Sequence, residues 1–188
     1  HKKTGLEVFS SLLPVAKADE EKAYLLGFLT HFVLDTAVHS YIERQTEKGI
    51  LTHIEMENEF DRELLSNDGF NPLREKLTHL NPSDKNCELI SKFWEGVAPQ
   101  KIKKAIRSMI FCTNSLVTEN TLKRGAIKAM FGVTGHYKQL HGLLINKKPN
   151  PDFEESTKEL QKRFDSSVEI AAQLMDELLS EKLDNKIF

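Results

Sequence analysis

The stretch from Ala23 to Glu43 constrains the fold more than any other part of the chain, because it is apolar on nearly every side of a helix. A helix of this composition belongs in the interior of a protein. His31, Asp35 and His39 interrupt it, and their spacing of four residues places them on one stripe. We expect this stripe to be buried. Since an unpaired buried carboxylate costs several kcal/mol, Asp35 must be protonated, ion-paired or bound to a metal.

The next predicted helix repeats this pattern. His53, Glu57 and Asp61 also follow one another at a spacing of four residues, so a second helix carries imidazole and carboxylate groups along one face. A hydrogen-bonded network of core histidines would explain a single stripe of this kind. Two such stripes on successive helices favour a metal site.

The types of side chain indicate the metal. Imidazole nitrogens combined with carboxylate oxygens, without a sulfur ligand, suit Zn²⁺, although Mn²⁺ or Fe²⁺ could occupy a similar site. Because one helical turn rises about 5.4 Å, His31 and His39, two turns apart, are predicted to bind different ions. Asp35 lies between them and has one oxygen for each ion. The stripe therefore predicts a centre with more than one metal ion.

Composition and charge narrow the class of protein. A chain of 188 residues, of which 39% are hydrophobic and 29% charged, can form a substantial core, so we predict a single domain over residues 1–188. The net charge of -2 indicates no stable nucleic-acid partner. Because His31, Asp35 and His39 break the longest apolar run, we expect no transmembrane segment.

The two cysteines bear on location. Cys87 and Cys112 are too few and too far apart for a disulfide framework or a zinc ribbon, and we interpret both as buried thiols. Unpaired cysteines in a lysine-rich chain favour a soluble, cytoplasmic protein over a secreted one. The sequence leaves the oligomeric state open.

Hydrophobic spacing and capping signals predict an all-α fold of six to eight helices. Thr4 and Glu7 form a capping box, Asp19 is expected to cap the second helix, and Ser83 is expected to cap a later one. The predicted helices cover about 5–17, 20–47, 51–65, 100–117, 119–131 and 152–182, with one beginning after Ser83 and a possible short helix over about 73–80.

Other polar and aromatic residues receive structural interpretations. Glu55 and Glu59 are placed on the opposite helix face from Glu57 and are expected to be solvated. His136 and His141 stand in a glycine-containing loop and are left out of the site.

The sequence predicts no secure substrate pocket. Large aromatic side chains are more often found in a core than on a lid. We therefore expect Phe70, Trp94 and Phe131 to be core residues.

At the two polar stripes the chain resembles the zinc-dependent phospholipase C family, whose relatives include the S1/P1-type nucleases. The resemblance rests on GFLTHFVLDTAVH, where His-x-x-x-Asp is followed on the same helix by another His, and on HIEMENEFD, where the family has a His-x-x-x-Glu-x-x-x-Asp string. It implies a multi-helix fold of the phospholipase C and P1 nuclease type, with a cluster of three zinc ions at the bottom of a cleft.

The resemblance also implies roles for individual residues. His31 matches a zinc ligand, and Asp35 matches the carboxylate that bridges two zinc ions. His39 and Glu57 match ligands of the more exposed zinc. His1 falls where the family has a further histidine ligand.

Two neighbouring residues and the start of the chain complete this prediction. His53 and Asp61 are interpreted as groups that orient Glu57 and the metal-bound histidines, with ordinary surface charge as the alternative. The family's remaining ligands, an N-terminal amine, an early histidine and an aspartate, precede the region that matches His1. We therefore predict that the chain lacks its N-terminal segment and that the complete protein binds two or three Zn²⁺ ions.

The chemistry that the resemblance implies is hydrolysis of phosphodiester bonds. The predicted substrate is a phospholipid, which would release diacylglycerol and a phosphorylated head group. An S1/P1-like nuclease or nucleotide phosphodiesterase is the alternative enzyme, and a non-catalytic helical scaffold with a buried polar network is the alternative outside enzymes. No catalytic residue is assigned from the sequence.

Overall fold

A computed structural model describes residues 4–49 and 52–180, except for the side chains of residues 138 and 139. This part of the chain has an all-α fold without strands, as predicted. The α-helices are α1 (Gly5–Leu12), α2 (Asp19–Glu47), α3 (His53–Asn67), α4 (Asp84–Ser91), α5 (Pro99–Leu116), α6 (Thr121–Val133), α7 (Tyr137–Leu140) and α8 (Glu154–Leu179). Short 3₁₀ turns cover Leu13–Val15, His141–Leu143 and Pro151–Phe153.

Local capping explains where several helices begin. The capping box at Thr4 and Glu7 is confirmed, and the Ser83 hydroxyl accepts the Asn86 N–H at 3.2 Å at the start of α4. The prediction that Asp19 caps α2 is wrong, because Asp19 is already the first helical residue. The Glu21 carboxylate instead accepts the Ala18 N–H at 2.9 Å, which satisfies a donor that the helix itself leaves free.

The chain divides into two compact units, and α2, α5 and α8 each contribute to both. The first unit comprises the chain up to Val38, Asn81–Ile106 and the chain from Arg163 onward. Its core packs apolar residues of α1, α2 and α8 around Phe9, which has no exposed surface. The Phe9 ring lies 5.4 Å from that of Phe28 and 5.5 Å from that of Phe32.

The second unit comprises His39–Leu80 and Arg107–Lys162. Its buried apolar residues come from helices α2, α3, α6 and α8 and from the segments before α8, and they are Ile42, Met56, Phe60, Phe131, Leu144, Phe153 and Leu160. Gly49, after α2, has a φ of 74°, which favours glycine because a Cβ is disfavoured in the left-handed region. A single domain over residues 1–188 stays a prediction.

Helix α2 is less buried than its composition predicts. An 18-residue window within it has a mean hydropathy of 1.2, and 22% of that window is buried. Among the described residues, α2 is the helix that is long and apolar enough to cross a membrane. Core helices of soluble proteins and signal sequences meet the same criteria of length and composition. The absence of a transmembrane segment and the cytoplasmic location therefore stay predictions.

Two further expectations are wrong. Residues 73–80 form no helix, although their leucines have helical spacing. Cys87 is buried as expected, but Cys112 is exposed, because it lies on a side of α5 that packing does not cover.

Candidate metal centre

Three residues of the two polar stripes converge in the second unit. The Nε2 atom of His53 lies 3.0 Å from Oε1 of Glu57, and the Nε2 atom of His39 lies 3.6 Å from the same oxygen. The rings of His39 and His53 are 4.8 Å apart. One potential ligand atom from each of the three residues lies within 4.8 Å of the other two.

The local fold of α3 explains this convergence. Thr52 caps the helix by accepting the Glu55 N–H at 3.3 Å, so His53 is the first helical residue. Glu57 follows one turn later, where an i, i+4 pair meets on the helix surface. His39 reaches the pair from α2. Two helices thus supply two imidazoles and one carboxylate to one small space.

The donor set fits a zinc ion. Ligand atoms around a tetrahedral zinc with bonds of about 2.0–2.1 Å are roughly 3.3 Å apart. The two distances from Glu57 Oε1 to the imidazole nitrogens, 3.0 Å and 3.6 Å, are close to this value. The side chains of His39, His53 and Glu57 are 33%, 35% and 42% exposed. This partial exposure leaves room for a further ligand beside three protein ligands, the arrangement of a catalytic zinc site.

The opposite face of α3 holds the helix in place. The Glu59 carboxylate accepts hydrogen bonds from the Arg62 guanidinium at 3.0 Å, from the Asn146 amide at 2.6 Å and from the Asn150 N–H at 3.2 Å. Glu59 is 3% exposed and Arg62 is 8% exposed. The prediction that Glu59 is solvated is therefore wrong, because a buried guanidinium and two asparagines surround it.

The prediction for Glu55 is wrong for a similar reason. Its carboxylate lies 2.8 Å from Nε2 of His141. His141 was not predicted to belong to any site. The backbone at Gly142 packs so closely against α3 that a Cβ on this residue would lie 2.8 Å from the Glu55 side chain. The Asn58 amide also donates a hydrogen bond to the Gly142 carbonyl. These contacts fix α3, and with it Glu57, against the segment 141–150.

His31 and Asp35 are not part of the cluster formed by His39, His53 and Glu57. Both are exposed, so the expectation that their stripe is buried is wrong. The core side of α2 is set by Leu29 and Val33, which are buried. His31 and Asp35 each follow one of these residues by two positions, a rotation of about 200° that places them on the other side of the helix.

His1 lies outside the described residues, so its predicted role stays a prediction. The same holds for the roles of His31 and Asp35 as zinc ligands. His53, which was predicted to orient ligands, lies as close to the other members of the cluster as a ligand would.

Asp61 lies one turn beyond Glu57 and lines a cavity of about 600 Å³. Burial raises the pKa of its carboxyl group, and the charge of Glu57 adds to this effect. The Asp61 side chain is nevertheless exposed, because the cavity beside it is open to solvent. The charge of Glu57 therefore acts on a carboxyl group that lines this cavity.

The cavity itself was missed by the sequence analysis. Phe70, expected in the core, is 52% exposed and lines it. Phe131 is buried and Trp94 is half-buried, as expected of core residues. Apolar residues such as Phe70 have the same sequence signal in a core and in a cavity wall, so composition could not distinguish the two.

A comparison with protein families agrees with this geometry. The family described as zinc-dependent phospholipase C matches residues 2–112, which is more than half of the chain and includes both polar stripes. Comparisons with curated proteins and with solved structures give no match. The chain therefore belongs to the zinc-dependent phospholipase C family.

Proposed function

We propose that this protein is a phospholipase C that uses zinc to hydrolyse the phosphodiester bond between the glycerol and the head group of a phospholipid. The observation that supports the proposal is the convergence of His39, His53 and Glu57, in a member of this family, on one partly exposed space. A purely structural histidine network would be expected to be buried and fully hydrogen-bonded.

The residues of the cluster would hold one zinc ion. His39 and His53 offer neutral imidazole nitrogens, and Glu57 offers a negative charge that offsets part of the charge of the cation. The His53 Nε2 atom lies 3.0 Å from Glu57 Oε1, and ligation by this nitrogen requires the neutral tautomer whose proton is on Nδ1. We propose His31 and Asp35 as ligands of a further ion.

Zinc, when bound, supplies a water of lowered pKa and neutralises charge on phosphate oxygens. The contribution of the chain is placement. Glu57 is fixed because α3 is held on its opposite face by the hydrogen bonds of Glu59. The accessible sides of His39 and Glu57 allow a phosphate group to approach the cluster.

The proposal is tested on the purified full-length protein with a phosphatidylcholine substrate. We expect the protein to hydrolyse this substrate. A chelator should abolish the hydrolysis and added zinc should restore it, and Asp35→Asn or His39→Ala should also abolish it. Glu43→Gln, an exposed residue one turn beyond His39 on α2, should leave turnover unchanged. Metal analysis that finds no zinc in the full-length protein would contradict the proposal, and so would faster hydrolysis of single-stranded nucleic acid than of phospholipid.

A further inference from the structure

The cavity next to Asp61 is large enough for part of a lipid. Its volume of about 600 Å³ falls within the range of small-molecule sites, about 300–1,000 Å³. It lies entirely in the second unit, with walls from α3, from residues 70–79, from the end of α5 and the residues after it, and from the segment 143–145.

The wall that α3 contributes changes from polar to apolar along the helix. Glu57 belongs to the metal cluster, and Asp61 follows four residues later, about 6 Å farther along the axis. Leu64 and Leu65 occupy the next turn, and Phe70 lies beyond the end of the helix. A molecule lying along this wall would meet charge first and hydrocarbon afterwards.

The other walls are mainly apolar, and their ionisable residues are Glu75, Lys76 and His79. Leu116, Val117, Leu143 and Ile145 line the cavity and are only half-buried, so the protein itself does not fully cover them. Covering apolar surface of this kind is favourable at about 25 cal/mol per Å².

The irregular wall over residues 73–80 is fixed by long-range hydrogen bonds. The side-chain oxygen of Asn114 accepts the Leu77 N–H at 2.8 Å, and the Asn114 amide donates to the Leu77 carbonyl at 3.1 Å. Both hydrogen bonds hold this segment against α5. The cavity is therefore bounded by a defined wall even though the segment has no helix.

We infer that this cavity binds an acyl chain of the phospholipid substrate while the phosphate lies at His39, His53 and Glu57. The inference rests on the proposed function and extends it from the phosphate to the hydrocarbon part of the substrate. The sequence of groups along α3, from carboxylate to leucine, matches the order of groups in a phospholipid, from phosphate to acyl chain. The ionisable residues of the lining, Asp61, Glu75, Lys76 and His79, are exposed, so their polar groups can stay in water while an acyl chain covers the half-buried leucines.

Direct binding tests the cavity without requiring catalysis. A fluorescent fatty acid is titrated into the zinc-free full-length protein and into two variants that fill the cavity from different walls, Leu65→Trp and Val117→Trp. We expect saturable binding to the unmodified protein, and a loss of roughly tenfold in affinity for every two methylene groups that the new side chain excludes. Leu122→Trp is the matched control, because Leu122 is 85% exposed and does not line the cavity.

Hydrolysis then separates this inference from the proposed function. With zinc present, the filled variants should lose kcat/KM for a long-chain phosphatidylcholine and keep it for a short-chain analogue with the same head group. Fatty-acid binding that the filled variants retain, or that the unmodified protein lacks, overturns the acyl-chain site even if phospholipid is hydrolysed. Binding that is lost on filling the cavity, in a protein that hydrolyses no phospholipid, supports the acyl-chain site and contradicts the proposed function. Circular dichroism and thermal unfolding identify any variant that does not fold. If one of the two filled variants does not fold, the binding measured with the other one tests the acyl-chain site.

Discussion

Replacement of Glu57 by Gln should remove most of the stabilisation that zinc gives to the protein. A ligand that binds only the folded state at a concentration 100 times its Kd raises the free energy of unfolding by about 2.7 kcal/mol. For a chain of this length, that corresponds to a rise of about 5–11 °C in the unfolding midpoint, since 1 kcal/mol shifts the midpoint by about 2–4 °C.

The structure sets the size of the expected loss. Glu57 is the carboxylate whose oxygen lies within 3.6 Å of both His39 and His53, so its replacement alters the whole donor set. Loss of an outer-shell partner already weakens metal binding by roughly 10- to 100-fold, and we expect at least the upper value for a ligand. At 100-fold weaker binding the same zinc concentration equals Kd, and the stabilisation falls to about 0.4 kcal/mol, or about 1–2 °C.

Thermal unfolding at a series of zinc concentrations measures this difference. The midpoint of the zinc-free protein serves as the reference for each variant, so that a change in intrinsic stability is not counted as a change in metal binding. Glu43→Gln removes a carboxylate one turn from His39 and should keep the full zinc-dependent rise. If Glu57→Gln and His39→Ala keep it as well, the cluster does not bind the metal and our reasoning about the donor set is refuted.

Three further outcomes are expected from groups whose surroundings the structure defines. Glu59→Leu removes the buried carboxylate partner of Arg62, leaves only the more exposed Glu63 at 3.2 Å, and should cost about 3 kcal/mol in urea unfolding, while Glu59→Leu combined with Arg62→Met should recover most of that loss; a double variant no more stable than the single one would contradict this. Because the pKa of Asp61 is raised, its ionisation lowers stability as the pH rises through that pKa, so Asp61→Asn should raise the zinc-free unfolding midpoint at neutral pH and have no effect at a pH below the ordinary aspartate range. The Ala18 N–H, with help from Lys92 and the Lys17 N–H, lowers the pKa of Glu21 to about 2, so Glu21→Gln should lower the midpoint at pH 7, and the difference from the unmodified protein should fade as the pH falls from about 4.5 towards about 2; a difference independent of pH would argue against this account.

The sequence predicts the helices where their signals are local. The box at Thr4 and Glu7 and the cap at Ser83 need only residues within one turn, and both are confirmed. Residues 73–80 have helical spacing too, yet the backbone of Leu77 is hydrogen-bonded to Asn114, 37 residues away. A partner at that distance in the chain gives no local signal, and it decided the conformation of this segment.

The same distinction applies to the candidate site. His53 and Glu57 meet because of spacing within one helix, which the sequence contains. Whether His31 is buried depends instead on which side of α2 the other helices cover, and a helix that is apolar all round gives no indication of that side. The segment that binds Glu59 follows more than 80 residues later, so the burial of Glu59 could not be predicted either.

Exposure separates the two kinds of polar pair on α3 better than residue type does. Glu59 and Arg62 have side chains 4% and 9% exposed and their hydrogen bonds are satisfied within the protein, so they have little capacity for another partner. His53 and Glu57 have side chains 35% and 42% exposed, and their nitrogen and oxygen atoms face an accessible space. Because the buried pair lies on the same helix as the accessible pair, it can fix the helix without occupying the ligands. A helix held rigidly on one face and left accessible on the other presents its groups in one defined geometry, which is what binding of a metal ion requires.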